Sequence, residues 1–265
     1  MLPKIAILSK NLLLLNNMDK KHEIQEISFL SLLFTFVYGA IIYYFYALNF
    51  FSIALILILS VLSAYFIKKY WLKDDPDLDI LLKEELKRNN RLINFWPLII
   101  YLLFLTLSFF LLYKNQSDRA LISPFEIIGS NFFITYLLSA AGLFLVLRKK
   151  GFSCFSKLFC LSTFYFLSFS LTAILYKIAY GYDPFIHQAT MELIAKEGAV
   201  YPKPFYYLGQ YSFLIIIHKI SGLSLYFLNK FLVPIAAAII LPWSIWRLSL
   251  LNKLKHLSKL DSKAI

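Results

Sequence analysis

Charged residues are scarce in this sequence of 265 residues. Asp, Glu, Lys and Arg make up 16% of the chain, whereas soluble proteins carry about 25%. Hydrophobic residues account for 60%, and the mean hydropathy is +0.68. A single soluble core cannot bury so large an apolar fraction. The composition therefore excludes a soluble enzyme and a disordered tail.

The sequence also lacks the motifs of common nucleotide, metal and redox sites. It contains no GxGxxG, Walker A, HExxH or CxxC pattern, each of which would predict a specific chemistry. The chain has only two Cys and four His, too scattered for a zinc site. Cys154 and Cys160 lie in or beside an apolar run, so we interpret them as packing residues of a membrane helix.

Long continuous apolar runs are the dominant feature. About 20 apolar residues cross the ~30 Å hydrocarbon layer as a helix, and continuous runs favour helices over strands that alternate with period two. We therefore predict an all-α, polytopic helical membrane protein with about seven spans. The runs cover about residues 27–48, 52–67, 95–113, 126–147, 156–176, 205–218 and 225–246.

Lys and Arg between the runs predict the orientation. They are frequent in residues 1–26, 68–94 and 148–157, and rare in 49–51 and 114–125, which by the positive-inside rule places the N-terminus in the cytoplasm of a plasma membrane. The net charge of +12 thus reflects topology, and we expect no nucleic-acid partner. An odd number of spans, however, would put the basic tail outside. Either the run 205–218 is too short to cross, or the chain stops partway through a longer protein.

These patterns divide the chain into four parts. We predict a cytoplasmic amphipathic segment over 1–26 and a four-helix membrane bundle over 27–147, with a cytoplasmic loop at 68–94. A second membrane unit follows over 148–246, with an outer loop at 177–204. Residues 247–265 form the basic C-terminal tail.

The outer loop contains a predicted surface helix. Asp183 followed by Pro184 is typical of a helix start, and Gly198 predicts the end after Glu197. One face is polar, so the helix is expected to rest flat on the outer membrane surface. The opposite, apolar stripe consists of Phe185, Ile186, Ala189, Leu193 and Ile194.

Polar residues suited to binding or catalysis lie on this helix and just after it. His187 lies one turn after Asp183, which brings an imidazole near a carboxylate at the membrane surface. Lys203, Tyr207 and Gln210 follow the helix. Two simpler interpretations stay open: Asp183 as a helix cap only, and Lys203 as an interfacial lysine that reaches the headgroups.

The stretches DPFIHQAT and YPKP, at 183–190 and 201–204, resemble the first outer loop of GT-C superfamily glycosyltransferases. The branches concerned are the oligosaccharyltransferase, protein mannosyltransferase and aminoarabinose transferase types. The resemblance implies that Asp183 is a catalytic base or the ligand of a divalent metal, Mg or Mn. It implies that Lys203 holds a lipid phosphate, and we predict His187, Tyr207 and Gln210 as further substrate-binding residues.

The resemblance covers about residues 158–246 and implies transfer of a sugar from a polyprenyl-phosphate-linked donor at the outer face. Enzymes of this superfamily continue for several more spans, so we expect this chain to be the N-terminal part of one. Two other functions stay open. One is a transporter or flippase for a lipid-linked saccharide, which should show Gly- or Pro-broken helices. The other is a non-catalytic scaffold that binds lipid headgroups or a membrane partner subunit.

Overall fold

The computed structural model describes residues 24, 26–71, 95–119, 123–149, 151–177 and 183–261; within the last range, the side chains of Asp183 and of residues 250–261 are not described. These residues form helices, two short 3-10 turns and connecting segments, with no strand beyond an isolated bridge between Ser117 and Tyr176. Most of the predicted segment 1–26 and most of the predicted loop 68–94 fall outside the described residues.

The described residues form eight α-helices. They are α1 Glu26–Phe45, α2 Phe50–Tyr70, α3 Trp96–Lys114, α4 Ser130–Arg148, α5 Cys154–Leu175, α6 Asp183–Glu197, α7 Leu208–Ser221 and α8 Leu225–Asp261. Six are long and apolar enough to cross a membrane, namely α1 to α5 and the Leu225–Ser249 part of α8. The chain is thus an all-α, polytopic membrane protein, as its composition predicts.

The predicted span over 205–218 is not among the six. A short 3-10 helix, Phe205–Tyr207, takes up its first residues, and α7 has only 14 residues. At a rise of 1.5 Å per residue α7 is about 21 Å long, shorter than the ~30 Å hydrocarbon layer. Six of the seven predicted runs thus correspond to described helices that are long enough to cross, and the run 205–218 does not because of its shortness.

The chain separates into two compact units. Unit 1 comprises Met1–Lys73 and His187–Leu225, and unit 2 comprises Asp74–Ile186 and Tyr226–Ile265. Each unit thus joins two distant segments of the chain. The division after residue 147 that the sequence suggests rests on the pattern of apolar runs and stays a prediction.

Helices α1 and α2 of unit 1 form a hairpin that polar contacts fasten along its length. Asn49 begins α2 through a reciprocal capping box with Ser52, each side chain accepting from the other residue's backbone amide at 2.9 Å. Tyr38 and Ser63 share a 2.7 Å hydrogen bond. At the other end of the hairpin, Lys68 forms an ion pair with Glu26. The pair is largely buried, so it links the first turn of α1 to the last turn of α2.

Helix α7 packs closely on α1 in unit 1. A Cβ atom added at Gly39 would lie 2.7 Å from the Ser212 hydroxyl, and one added at Gly209 would lie 2.6 Å from the Phe36 ring. Glycine thus allows close approach at both positions, because a larger side chain would displace the Ser212 hydroxyl or the Phe36 ring.

The segment before α7 and the last turn of α7 both contact the turn that follows α1. Before α7, the carbonyl of Gly198 accepts from the Leu48 amide at 2.7 Å. At the last turn of α7, the Lys219 ammonium donates to the Leu48 carbonyl at 3.3 Å. The segment before α7 and the last turn of α7 thus lie at one end of the α1–α2 hairpin.

Unit 2 is built around close contact between α3 and α4. A Cβ atom at Gly142 would lie 2.9 Å from the Tyr101 Cα. The backbone of Gly142 therefore lies directly against the backbone of Tyr101. The Tyr101 hydroxyl, fully buried, donates to the Cys160 carbonyl of α5 at 2.6 Å and shares a hydrogen bond with Thr163. The predicted packing role of Cys160 agrees with its 2% exposure.

The end of α5 is fastened to other parts of unit 2 by polar contacts. The amide of Ser117, just after α3, donates to the Leu175 carbonyl at 2.9 Å. From α8, the Lys230 ammonium donates to the Tyr176 carbonyl at 2.7 Å and the Tyr226 hydroxyl donates to the Lys177 carbonyl at 2.5 Å. Carbonyls at the end of a helix have no partner within it, so these groups satisfy some of them.

Candidate functional site

The predicted surface helix is present with the predicted bounds. Helix α6 runs from Asp183 to Glu197 and ends at Gly198, whose φ of +85° is the left-handed conformation that favours glycine. The Gly198 amide donates to the Ile194 carbonyl at 2.7 Å and closes the last turn. The Asp183 side chain lies outside the described residues, so its catalytic and metal-binding roles stay predictions.

Helix α6 has two apolar faces. Met191 and Ile194 are fully buried, whereas most of the predicted stripe is exposed to the surroundings. The assignment of Ile194 to that stripe was wrong. Ile194 lies about 100° around the helix from Leu193, beyond the edge of the stripe, and packs inside the protein. The exposed stripe consists of Phe185, Ile186, Ala189 and Leu193.

Three side chains form a cluster, here called the His187 cluster: His187 on α6, Tyr207 just before α7, and Tyr211 on α7. The His187 Nδ1 and the Tyr211 hydroxyl are 2.5 Å apart. The Tyr207 ring lies edge-on to the imidazole at 4.4 Å between centroids and stacks on Tyr211 at 5.7 Å. The structure thus brings together two predicted site residues, His187 and Tyr207.

The cluster combines a buried anchor with a more accessible edge. Tyr211 is 2% exposed, and its hydroxyl also contacts Thr190 of α6. Tyr207 is 40% exposed, and His187 is half-buried. The hydrogen bond at Nδ1 fixes the orientation of the imidazole ring. It leaves Nε2 as the ring atom for any further partner.

Lys203 is bonded to the end of α1. Its ammonium donates to the carbonyls of Tyr43, Tyr44 and Tyr46 at 2.6, 3.1 and 2.8 Å. It also lies over the Tyr43 and Tyr201 rings, at 5.1 and 5.4 Å from their centroids. Burial lowers the pKa of Lys203 from its ordinary value. A lysine ammonium has three N–H donors, and here three carbonyl oxygens accept from it.

Gln210, the remaining predicted substrate-binding residue, is exposed on α7. It lies beside Tyr211 in sequence but outside the His187 cluster. Its side chain is accessible to a ligand, and its binding role stays a prediction.

Metal-binding groups do not converge in the part of the chain that the structure describes. No group of three or more His, Cys, Asp or Glu side chains is found among those residues. The predicted ligand of Mg or Mn, the Asp183 side chain, lies outside the described residues, so the metal site stays a prediction.

Tyr211 is a residue of the His187 cluster that the sequence did not predict. Tyr211 follows Tyr207 by four positions, the spacing that places two side chains on one helix face, so the signal was present.

Comparison with known protein families, curated proteins and solved structures gives no match for this chain.

Proposed function

We propose that this chain is a membrane glycosyltransferase of GT-C type, or part of one, that takes a sugar from a polyprenyl-phosphate-linked donor. One observation carries the proposal. Helix α6 begins at Asp183, buries Met191 and Ile194, and exposes a stripe with Phe185 and Leu193 on another face. A helix with this stripe can lie at the membrane surface, where its first residue meets a lipid headgroup and a water-soluble acceptor.

The orientation we propose places this helix outside the cell membrane. With six spans, both ends of the chain lie on one side, and the basic tail joins the basic segments 1–26, 68–94 and 148–157 in the cytoplasm. The tail carries five Lys and Arg residues, which an odd number of spans would have exported. The five are Arg247, Lys253, Lys255, Lys259 and Lys263.

The proposed chemistry assigns two tasks to the start of α6. An acceptor hydroxyl or amide must be oriented or deprotonated as it attacks the sugar, and the Asp183 carboxylate would do this. His187 lies one turn further on, with its ring orientation fixed by Tyr211. The exposed edge of Tyr207 beside it is suited to contact with a sugar ring. A cation is also needed to stabilise the negative charge of the departing phosphate.

The test is sugar transfer by the purified chain in detergent, with polyprenyl-phosphate sugars offered with and without Mg²⁺ or Mn²⁺. We expect Asp183→Asn to lower turnover about 100-fold or more, the range of a general acid–base contribution. Glu197→Gln is the matched control, because Glu197 is an exposed carboxylate at the other end of the same helix. Equal turnover of both variants and the parent would remove Asp183 from the site. A parent that neither transfers sugar nor retains the lipid would contradict the whole proposal.

A non-catalytic scaffold is the second candidate, and the contacts of Lys203 favour it. The residue implied to hold the lipid phosphate is bonded instead to three carbonyls of α1. On this alternative, α6 only rests on lipid or on a partner subunit. Asp183→Asn should then leave lipid retention unchanged, while charged substitutions at Phe185 and Leu193 should abolish it.

A further inference from the structure

Two lysines of unit 1 lie at the C-terminal end of α1, and their surroundings differ. Lys203 is half-buried and donates to three backbone carbonyls. To bind a phosphate it would have to give up at least one of these hydrogen bonds and leave a helix-end carbonyl without its partner. Its ammonium is thus part of the fold.

Lys219 is exposed and makes much weaker contact with the protein. Its one hydrogen bond within the described residues is to the Leu48 carbonyl, at the long distance of 3.3 Å. No carboxylate of the described residues lies within ion-pair distance of it. Two of its three N–H donors therefore point to no described acceptor, and they are available to an anion.

The turn after Lys219 is held by its own hydrogen bonds. The His218 Nδ1–H donates to the Leu223 carbonyl at 2.6 Å, and the Leu223 amide donates to the Ser221 hydroxyl at 3.2 Å. Gly222 takes the left-handed conformation, with φ of +71°. Lys219 thus extends from the last turn of a helix that is fixed at its end, which reduces the entropy lost when a ligand binds.

The neighbours of Lys219 are exposed and apolar. Ile220 and Leu223 are 61% and 44% exposed, and Phe50, two residues after Leu48, is 80% exposed. A cation beside exposed apolar residues along the chain matches an anionic headgroup with a hydrocarbon chain better than it matches a free ion. The match is to a lipid phosphate.

We infer that Lys219, rather than Lys203, binds the phosphate of a membrane-embedded lipid at this end of unit 1. The inference rests on the proposed function in one respect, the choice of a polyprenyl phosphate as that lipid. The Lys219 ammonium would donate charge-assisted hydrogen bonds to the phosphate oxygens.

The test is polyprenyl-phosphate binding by the full chain in neutral detergent, followed by native mass spectrometry. Lys219→Ala is expected to weaken binding about tenfold or more, the effect of one hydrogen bond to a charged group. Lys219→Arg should retain it. Lys196→Ala, a change at an exposed lysine of α6, is the matched control and should bind as the parent does.

Three outcomes would overturn the inference. In the first, Lys219→Ala binds like the parent, which leaves the proposed glycosyltransferase intact and makes Lys219 a snorkelling side chain. In the second, folded Lys203→Ala loses as much affinity as Lys219→Ala. In the third, inorganic phosphate displaces the lipid at equal concentration, which would assign the site to a free anion. A parent that binds no polyprenyl phosphate would contradict the proposed function as well.

Discussion

At the scale of single residues, Lys203 shows how the fold decides what a side chain does. The resemblance of YPKP to GT-C enzymes implies that it holds a lipid phosphate, which stays a prediction. In the structure its ammonium donates to the carbonyls of Tyr43, Tyr44 and Tyr46. A cation at the C-terminal end of a helix is also favoured by the helix dipole, so the contact stabilises α1 in two ways.

We therefore expect Lys203→Ala to lower the free energy of unfolding by about 2 kcal/mol, because it removes hydrogen bonds that a charged group donates. The measurement is thermal unfolding in detergent, followed by circular dichroism. Lys196→Ala removes an exposed lysine from α6 and should leave the midpoint unchanged. Equal midpoints for the two variants would show that the Lys203 contacts contribute nothing to stability.

Tyr211 is a second residue whose contribution can be measured. Tyr211→Phe removes the hydroxyl that pairs with the His187 Nδ1 but keeps the ring that stacks on Tyr207. We expect a loss of about 1 kcal/mol in unfolding free energy. Tyr206→Phe is the control, since Tyr206 is 92% exposed. If the two variants unfold at the same temperature, the imidazole does not depend on Tyr211.

Sequence reasoning reached part of the His187 cluster and missed the rest for a physical reason. His187 and Tyr207 were predicted from their positions beside a surface helix, and helical spacing could have added Tyr211. The acceptors of Lys203 are backbone carbonyls 157 to 160 positions earlier in the chain. No residue type marks such a carbonyl, so only the tertiary structure identifies it.

At the scale of helices, local signals predicted α6 well and α7 poorly. Asp183, Pro184 and Gly198 are strong signals for a start and an end, and the helix has the bounds they predict. Helix α7 carries an apolar run without such a start signal, so its run was counted as a span. With 14 residues, α7 is shorter than the helices that are long enough to cross.

Helix packing depends on small residues, and unit 2 offers a matched pair to test this. In Gly142→Ala the new Cβ would lie 2.9 Å from the Tyr101 Cα, so α3 and α4 must move apart; in Gly129→Ala nothing lies within 4 Å. We expect the first variant to lose about 1–3 kcal/mol, the usual effect of overpacking, and the second to lose less, because Gly129 is the N-cap of α4 and meets only the smaller preference for glycine over alanine there. Thermal unfolding of both proteins measures the difference, and equal midpoints would contradict the close packing of α3 on α4.

At the scale of the whole molecule, the composition predicted the fold class, because only a bilayer can accommodate 60% hydrophobic residues in so many continuous runs. The number of spans was harder to predict. Five helices and the first part of α8 have unambiguous length, whereas α7 lies between a core helix and a span. The difference of one helix changes the predicted side of the entire tail.

Cysteine labelling of intact cells tests the six-span topology. In a background with Cys154→Ser and Cys160→Ser, we expect Tyr201→Cys and Leu223→Cys to react with an impermeant maleimide. Lys259→Cys should react only after the cells are opened, because in this topology α8 crosses the membrane between residues 223 and 259. Labelling of residues 201 and 223 from opposite sides would show that α7 crosses.

The length of α7 also has a consequence for how the protein is made. In the six-span topology that we propose, this segment stays on one side of the membrane during insertion. It has 14 residues, and about six more apolar residues would make it long enough to cross. Such an insertion would send the following helix through the bilayer in the opposite direction. In this topology, the side of the membrane on which the tail lies thus depends on fewer than two turns of helix.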